Sequence, residues 1–342
     1  MSHASYSFGA RLLHQLALSN VALAEVSFDV DQAWGAAERR DISRESHVFV
    51  AGLARAGTTI LMRRLFASGA FRSLTYRDMP FVLAPNIWRR FEAFGSRHME
   101  AVERAHGDGL MVDFDSPEAL EEVFWRVICG GDYLLRDRLV PMTAAPETLD
   151  KFRRYVAALL QAHPDKRYLS KNNNNILRLS SLAAAFPGAV ILVPFREPLA
   201  QAASLAEQHR RFCSAGHDSR FTRKYMQWLA HHEFGPGHRP FVFDGEMPEG
   251  DPAQGLDYWL RLWIATYAYL LETAPAGTLF ISYERLCDAT DRVWPELCRR
   301  LNLSGEAPVE PLRPAKAAQA ETDIDLREQA NSLHQRLLGL AL

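Results

Sequence analysis

The chain has 342 residues, of which 48% are hydrophobic, 11% aromatic and 23% charged, ample material for one large domain or two small ones. A net charge of −2 argues against general nucleic-acid binding, which draws on a basic excess. No stretch approaches the roughly 18 uninterrupted apolar residues of a membrane helix, and Arg11, His14 and Gln15 break up residues 10–30, so neither a membrane span nor a secretory leader is expected. Cys129, Cys213, Cys287 and Cys298 show no Cys-x-x-Cys spacing and read as reduced thiols, which favours a cytoplasmic location.

Residues 1–45 read as a helical lead-in, with Leu12, Leu13, Leu16, Leu18, Val21 and Leu23 near helical spacing. Residues 47–51, His-Val-Phe-Val-Ala, read as a short buried strand. The next eight, Gly52-Leu53-Ala54-Arg55-Ala56-Gly57-Thr58-Thr59, have the frame of a phosphate-binding loop, with Thr58 where the loop lysine would stand. Residues 60–66 are spaced for a helix. Backbone N–H groups at that helix N-terminus, with the hydroxyls of Thr58 and Thr59, suit an anion. A nucleoside triphosphatase places a lysine on the β- and γ-phosphates and holds Mg²⁺ besides, so this loop is expected to cradle a different phosphate.

Further along, a helix is expected over 81–94, after a polar segment holding Tyr76, Arg77 and Asp78. Residues 95–115, with His106 and Asp108, read as a surface excursion. Ser116-Pro117-Glu118 has the form of a helix start, with the helix reaching Val127. A helix over 146–163 precedes a strand over 167–171, a polar turn of four asparagines and a helix over 176–186. Residues 189–195 are a continuous apolar run suited to a central parallel strand, followed by Arg196-Glu197-Pro198 and a helix from 199. Residues 205–255 read as an insertion or lid. Then come a helix over 255–272, a strand over 278–283, a helix over 291–301 and a tail over 305–342. Strands alternating with helices imply one α/β domain, a phosphate-loop-type central parallel sheet with helices on both faces.

Ligands of such sheets bind outside the carboxyl ends of the strands. Three strand ends carry polar residues: Arg55 with Gly57, Thr58 and Thr59; Ser170-Lys171-Asn172; and Arg196, with Ser204 eight positions on in the next helix. An Arg fork beside a hydroxyl makes a second anion site. Each has a plainer reading: Arg196 as a solvated strand end, Ser204 as a small packed helix residue, Lys171 as part of a solvated turn. Asp78 and the pair His106 and Asp108 are candidates for a general base. The plainer reading of Asp78 is an ion pair with Arg77 or a helix cap, and that of the pair a surface turn. His231-His232-Glu233 does not have the i, i+4 spacing of a zinc helix, and no metal is expected. Basic and aromatic residues between Arg210 and Trp228 read equally as an acceptor surface or a solvated face.

Residues 54–59, Ala-Arg-Ala-Gly-Thr-Thr, resemble the Pro-Arg-Ser-Gly-Thr-Thr loop of sulfotransferases that use 3′-phosphoadenosine 5′-phosphosulfate (PAPS). Phe186-Pro187-Gly188-Ala189, with Arg196, Pro198 and Ser204, is similar to their second motif, Phe-Pro-x-Ala…Arg-x-Pro-x-x-x-x-x-Ser. Tyr283-Glu284-Arg285-Leu286 resembles their Tyr-Glu-x-Leu segment. Arg rather than Lys in the loop is closer to the tyrosylprotein and bacterial carbohydrate branches than to the cytosolic phenol branch.

The resemblance implies PAPS as co-substrate, a hydroxyl-bearing acceptor and no metal. It implies that Arg55, Ala56, Gly57, Thr58 and Thr59 hold the 5′-phosphosulfate, with Arg55 offsetting charge on the bridging oxygen. It assigns Arg196 and Ser204 to the 3′-phosphate, Lys171 to the sulfuryl oxygens and Tyr283 to the neighbourhood of the nucleotide. Ala54 and Ala56 depart from the family loop, and Arg313 and Lys316 are all that stands for its basic closing loop. The rival expectations are a kinase-like ATP site and an inactive nucleotide-binding protein of the same fold.

Overall fold

The structure, a computed structural model, describes residues 8–34, 40–92, 102–103, 111–112, 116–214, 220–304 and 322–342. Five parallel strands form the central sheet: β1 (Val48–Val50), β2 (Phe71–Arg72), β5 (Arg167–Lys171), β6 (Val190–Phe195) and β7 (Leu279–Ser282), in the order β2-β5-β1-β6-β7. Two short strands, β3 (Val102–Glu103) and β4 (Met111–Val112), pair separately. Val50 lies beside Lys171 on one side and Leu192 on the other, so the chain crosses over β1 between β5 and β6. That crossing is the switch point at which open α/β sheets bind ligands, and the loop after β1 occupies it.

Alternation along the strands sorts side chains to two faces. Val48 and Val50, with Leu169, Leu192 and Ile281, pack against α3 (Thr58–Ala67), α11 (Tyr283–Asp288) and α12 (Thr290–Arg300) through Leu61, Leu65, Leu286 and Trp294. Phe49, Tyr168, Ile191, Val193 and Phe195 face the larger cluster, which takes in α5 (Glu122–Tyr133), α6 (Pro146–Leu160), α7 (Leu179–Ala185), α8 (Pro198–Ser214) and α10 (Leu256–Thr273). Burial on both faces explains why β6 reads as an unbroken apolar run.

Several local expectations change. The lead-in forms α1 (Phe8–Ser19) and α2 (Val21–Trp34), but Leu12, Leu16, Val21 and Leu23 are exposed, and Ala17, Leu18, Ala24 and Phe28 are the buried apolar positions. Pro117 does not start a helix. It bridges Thr75 while the Glu118 N–H donates to Leu74 O, and the chain then turns through Ala119 and Leu120 before α5 begins at Glu122. The helix expected over 81–94 is α4 (Pro85–Glu92), preceded by a single 3₁₀ turn at Tyr76–Asp78. The tail ends in α13 (Ile324–Leu340), an integral part of the core: Leu326, Ala330, Leu333 and Leu337 are buried, and the Leu342 N–H donates to Phe280 O in β7. In the stretch read as a lid, α8 runs unbroken through Ser214, a further helix, α9, spans Arg220–Trp228, and Leu229 and Phe241 join the main core. No helix among the described residues is long and apolar enough to cross a membrane.

Candidate active site

The loop between β1 and α3 is shaped by two residues in left-handed backbone conformations, Arg55 at φ 67° and Gly57 at φ 85°. For glycine this conformation is free; for arginine it costs on the order of 1 kcal/mol and is the kind of strain found at functional sites. Gly57 has a second constraint, since a Cβ there would lie 2.5 Å from Cδ2 of Tyr283, whose ring closes over the loop. Gly52 lets the chain leave β1 close to β6, because a Cβ there would meet the Pro194 carbonyl at 2.9 Å. Helix α3 then begins with no side-chain cap and no acidic residue in its first turn. Its N-terminal N–H groups therefore keep their affinity for an external anion. Thr58 and Ala56 are buried in the turn, Ala56 completely.

Arg55 Nε donates to Ser204 Oγ at 3.0 Å, which ties the loop to the second turn of α8. Ser204, paired in the sequence reading with Arg196, thus meets the first loop. Gln201, one turn earlier, makes the same connection on the backbone: its Nε2 donates to Ala54 O at 3.0 Å, and its Oε1 accepts from Arg196 N at 3.2 Å and Trp263 Nε1 at 3.0 Å. Fully buried, Gln201 joins the loop, the end of β6 and α10 through one amide. Its i, i+3 relation to Ser204 on α8 is the one sequence signal that could have found it.

Arg196 follows β6 with its guanidinium carbon 5.8 Å from the Tyr283 ring centre. Its Nε is buried and has no hydrogen-bond partner among the described residues. Burial pushes the Tyr283 hydroxyl up to about 12, against the opposing pull of Arg196, so it is a neutral donor at physiological pH. An unpartnered buried guanidinium nitrogen is costly unless an anion completes it.

Lys171 ends β5 directly beside Val50, and the following Asn172 N–H extends the ladder to Val50 O at 3.1 Å. All four asparagines are buried, not solvated. Asn172 Nδ2 donates to Glu122 and Asn175 Nδ2 to Glu121 at 3.2 Å. Glu122 in turn pairs with Arg178 at 2.8 Å, with both side chains at most 2% exposed, and accepts from Tyr133 OH. The Arg178 guanidinium is sandwiched between Trp125 at 4.8 Å and Tyr133 at 4.6 Å. Burial opposes its charge, but the Glu122 carboxylate holds its pKa above the ordinary value. This buried network fixes the turn after Lys171 and was invisible to sequence reasoning.

Of the candidate bases, His106 and Asp108 lie outside the described residues, as do Arg313 and Lys316. Asp78 is buried with both oxygens engaged. Oδ1 pairs with Arg72 at 2.5 Å, where the plainer reading offered Arg77 or a helix cap, and Oδ2 closes a capping box on the 3₁₀ turn, accepting from Thr75 N at 2.8 Å and Thr75 Oγ1 at 3.3 Å. Glu233 instead approaches the Lys171 strand end, accepting through Oε1 from Asn173 Nδ2 at 3.0 Å. Among the described residues, no cluster of three or more His, Cys, Asp or Glu side chains could hold a metal.

A sequence profile described as "Sulfotransferase family" matches residues 47–242, more than half of the chain, and takes in the loop, Lys171, Arg196 and Ser204. No curated protein matches. Among solved structures, sulfotransferase STF1 of Mycobacterium tuberculosis H37Rv is similar at 15% identity and TM-score 0.46, over 94% of this chain and 83% of that one. Sulfotransferase STF9 of Mycobacterium avium is similar at 13% and 0.47, over 98% and 79%. A sulfotransferase of Alicyclobacillus acidocaldarius is similar at 14% and 0.43, over 86% and 93%. The profile match, on the residues that build this carboxyl edge, shows that the chain belongs to the sulfotransferase family.

Proposed function

We propose that this enzyme transfers the sulfuryl group of PAPS to a hydroxyl acceptor by in-line displacement. The observation that carries the cofactor assignment is Arg196: a guanidinium at the carboxyl end of β6, beside Tyr283, with a buried Nε that lacks a partner among the described residues. A guanidinium placed there suits a 3′-phosphate, a group that ATP lacks. The N–H groups of the Gly57 turn and the start of α3, with Thr58 and Thr59, would hold the 5′-phosphosulfate. The site's residue types and the family fit PAPS without Mg²⁺. Arg in the loop supports a place nearer the tyrosylprotein and carbohydrate branches than the phenol branch.

The acceptor oxygen attacks sulfur, the bond from sulfur to the bridging phosphate oxygen breaks, and the electron pair stays on the phosphate. Arg55, anchored by Ser204, is set to offset that charge, and Lys171 to stabilise the sulfuryl oxygens between the two partners. Little covalent chemistry falls to the protein, so positioning and electrostatics carry the rate. Calorimetric titration of 3′-phosphoadenosine 5′-phosphate (PAP) against ADP and ATP–Mg²⁺ tests the assignment. Mg²⁺-independent preference for PAP is expected. Preference for ATP–Mg²⁺ would favour a kinase-like site, and binding of none an inactive scaffold.

A further inference from the structure

Transfer to a neutral hydroxyl needs a group to take its proton, and carboxylates crowd the carboxyl edge of this sheet. Most are committed elsewhere. Asp78 holds Arg72 and Thr75. Glu118 accepts from its neighbour Ala119 N through Oε1 and from Tyr76 OH through Oε2. Glu121 is fully engaged, taking Trp125 and Asn175 on Oε1 and Tyr168 on Oε2. Burial raises its pKa above the ordinary range against the pull of those donors. Glu122 neutralises Arg178. Glu197 caps α8 through Leu199 N and Ala200 N.

Glu233 differs from all of these. It follows α9 and reaches the turn after β5, where Asn173, two residues beyond Lys171, holds Oε1 at 3.0 Å. It shares a crevice with Leu53 and Ala54 of the loop and with Asn174. The crevice is about 20 Å³, room for a single water, and is not itself an acceptor pocket. Glu233 is half-buried as a residue, and among the described residues no hydrogen bond uses its Oε2. Burial pushes its pKa up, but His231, Lys171 and the Asn173 amide outweigh that and hold the carboxyl below its ordinary range. At neutral pH it is therefore ionised and within electrostatic reach of the lysine assigned to the sulfuryl oxygens.

Resting on the PAPS-transfer reading above, we propose that Glu233 is the catalytic base: its Oε2 takes the acceptor's hydroxyl proton as the new oxygen–sulfur bond forms and the sulfur–phosphate-oxygen bond breaks. Asn173 positions the carboxylate through Oε1, and Lys171 neutralises the sulfuryl oxygens on the same side. The proton passes to Glu233 and the negative charge to the PAP phosphate beside Arg55, so charge and atoms balance with no further reactant.

The test compares wild type, Glu233→Gln and Glu233→Asp in two measurements on the full chain. PAP affinity is read by calorimetry. Sulfuryl release from labelled PAPS is read with water, phenol, methyl glycosides and a tyrosine peptide as probe acceptors. Glutamine keeps an oxygen for Asn173, so PAP affinity should stay within about 3-fold of wild type, while turnover with the best probe should fall by ~10²-fold or more. Glu233→Asp should retain partial turnover. PAP binding with undiminished turnover in Glu233→Gln would overturn the base assignment and leave the transfer reading standing. A wild type that fails to bind PAP, or binds it and transfers to no probe, would overturn the transfer reading and this proposal with it. Loss of PAP affinity in both variants would show a structural role and likewise overturn it.

Discussion

Arg55 and Ser204, 149 positions apart, are joined by a 3.0 Å hydrogen bond from Nε to Oγ, so the loop after β1 and the second turn of α8 act as one unit. The bond fixes a guanidinium whose backbone already sits in a strained conformation at φ 67°. Arg55→Lys keeps the charge but loses the Nε donor and the planar fork. Turnover should fall by ~10²-fold, as for loss of one oriented transition-state donor. Ser204→Ala, which frees the fork without removing it, should cost about 10-fold or less. Single-turnover transfer from PAPS reads both, and equal effects would contradict the anchoring role.

Gly57 faces two constraints that can be separated. Gly57→Ala meets both the Tyr283 ring at 2.5 Å and the penalty of φ 85°. PAP affinity should fall at least ~10-fold, since left-handed backbone costs a non-glycine residue about 1–2 kcal/mol before any clash. Adding Tyr283→Ala removes the clash and leaves the backbone strain, so urea midpoints, which do not depend on the nucleotide, should show partial recovery only.

The network behind Lys171 depends on a charge pair cut off from water. Glu122→Ala strands Arg178 in the core and should cost about 3–5 kcal/mol. The double change Glu122→Leu with Arg178→Met, which removes both charges, should cost clearly less. Urea midpoints of the three proteins check this, and an undiminished penalty in the double variant would contradict it.

One buried histidine, His47, and one half-buried, His238, make stability acid-sensitive. Burial, the largest cause for each, lowers the pKa of His47 and of His238 from 6.5 to about 4. His47 is held neutral because its Nδ1 accepts from Tyr168 N, and His238 shares a hydrogen bond with Tyr258 OH. Between pH 6.5 and 4 the unfolded chain binds protons that the folded chain does not, so stability is full above 6.5 and declines as pH falls toward 4. Each histidine contributes up to about 3 kcal/mol to that decline. Urea midpoints across this range should fall with pH, and His47→Gln should flatten the slope.

Much of the framework was legible in the sequence. β5 spans Arg167–Lys171, as its pattern predicts, and β6 begins one residue later than expected. These strands are marked by their own apolar runs and punctuation. What escaped were partners chosen at long range. Nothing near Asn172 announces that Glu122, 50 positions earlier, will bury it. Nor does anything near Glu233 announce Asn173, 60 positions away. Gln201 looked like an ordinary helix residue because its two carbonyl acceptors and two donors come from the β1 loop, the end of β6 and α10. The amphipathic pattern of α13 was visible, but its docking on α10 and β7 was not.

The measurement that tests the account most directly compares PAP and AMP binding to wild type and Arg196→Ala. If the Arg196 guanidinium meets the 3′-phosphate, PAP affinity should fall by ~10²-fold, the range for loss of a charge-assisted contact, while AMP affinity stays nearly unchanged. Equal loss for both ligands, or none for PAP, would contradict the 3′-phosphate site and with it the assignment of PAPS.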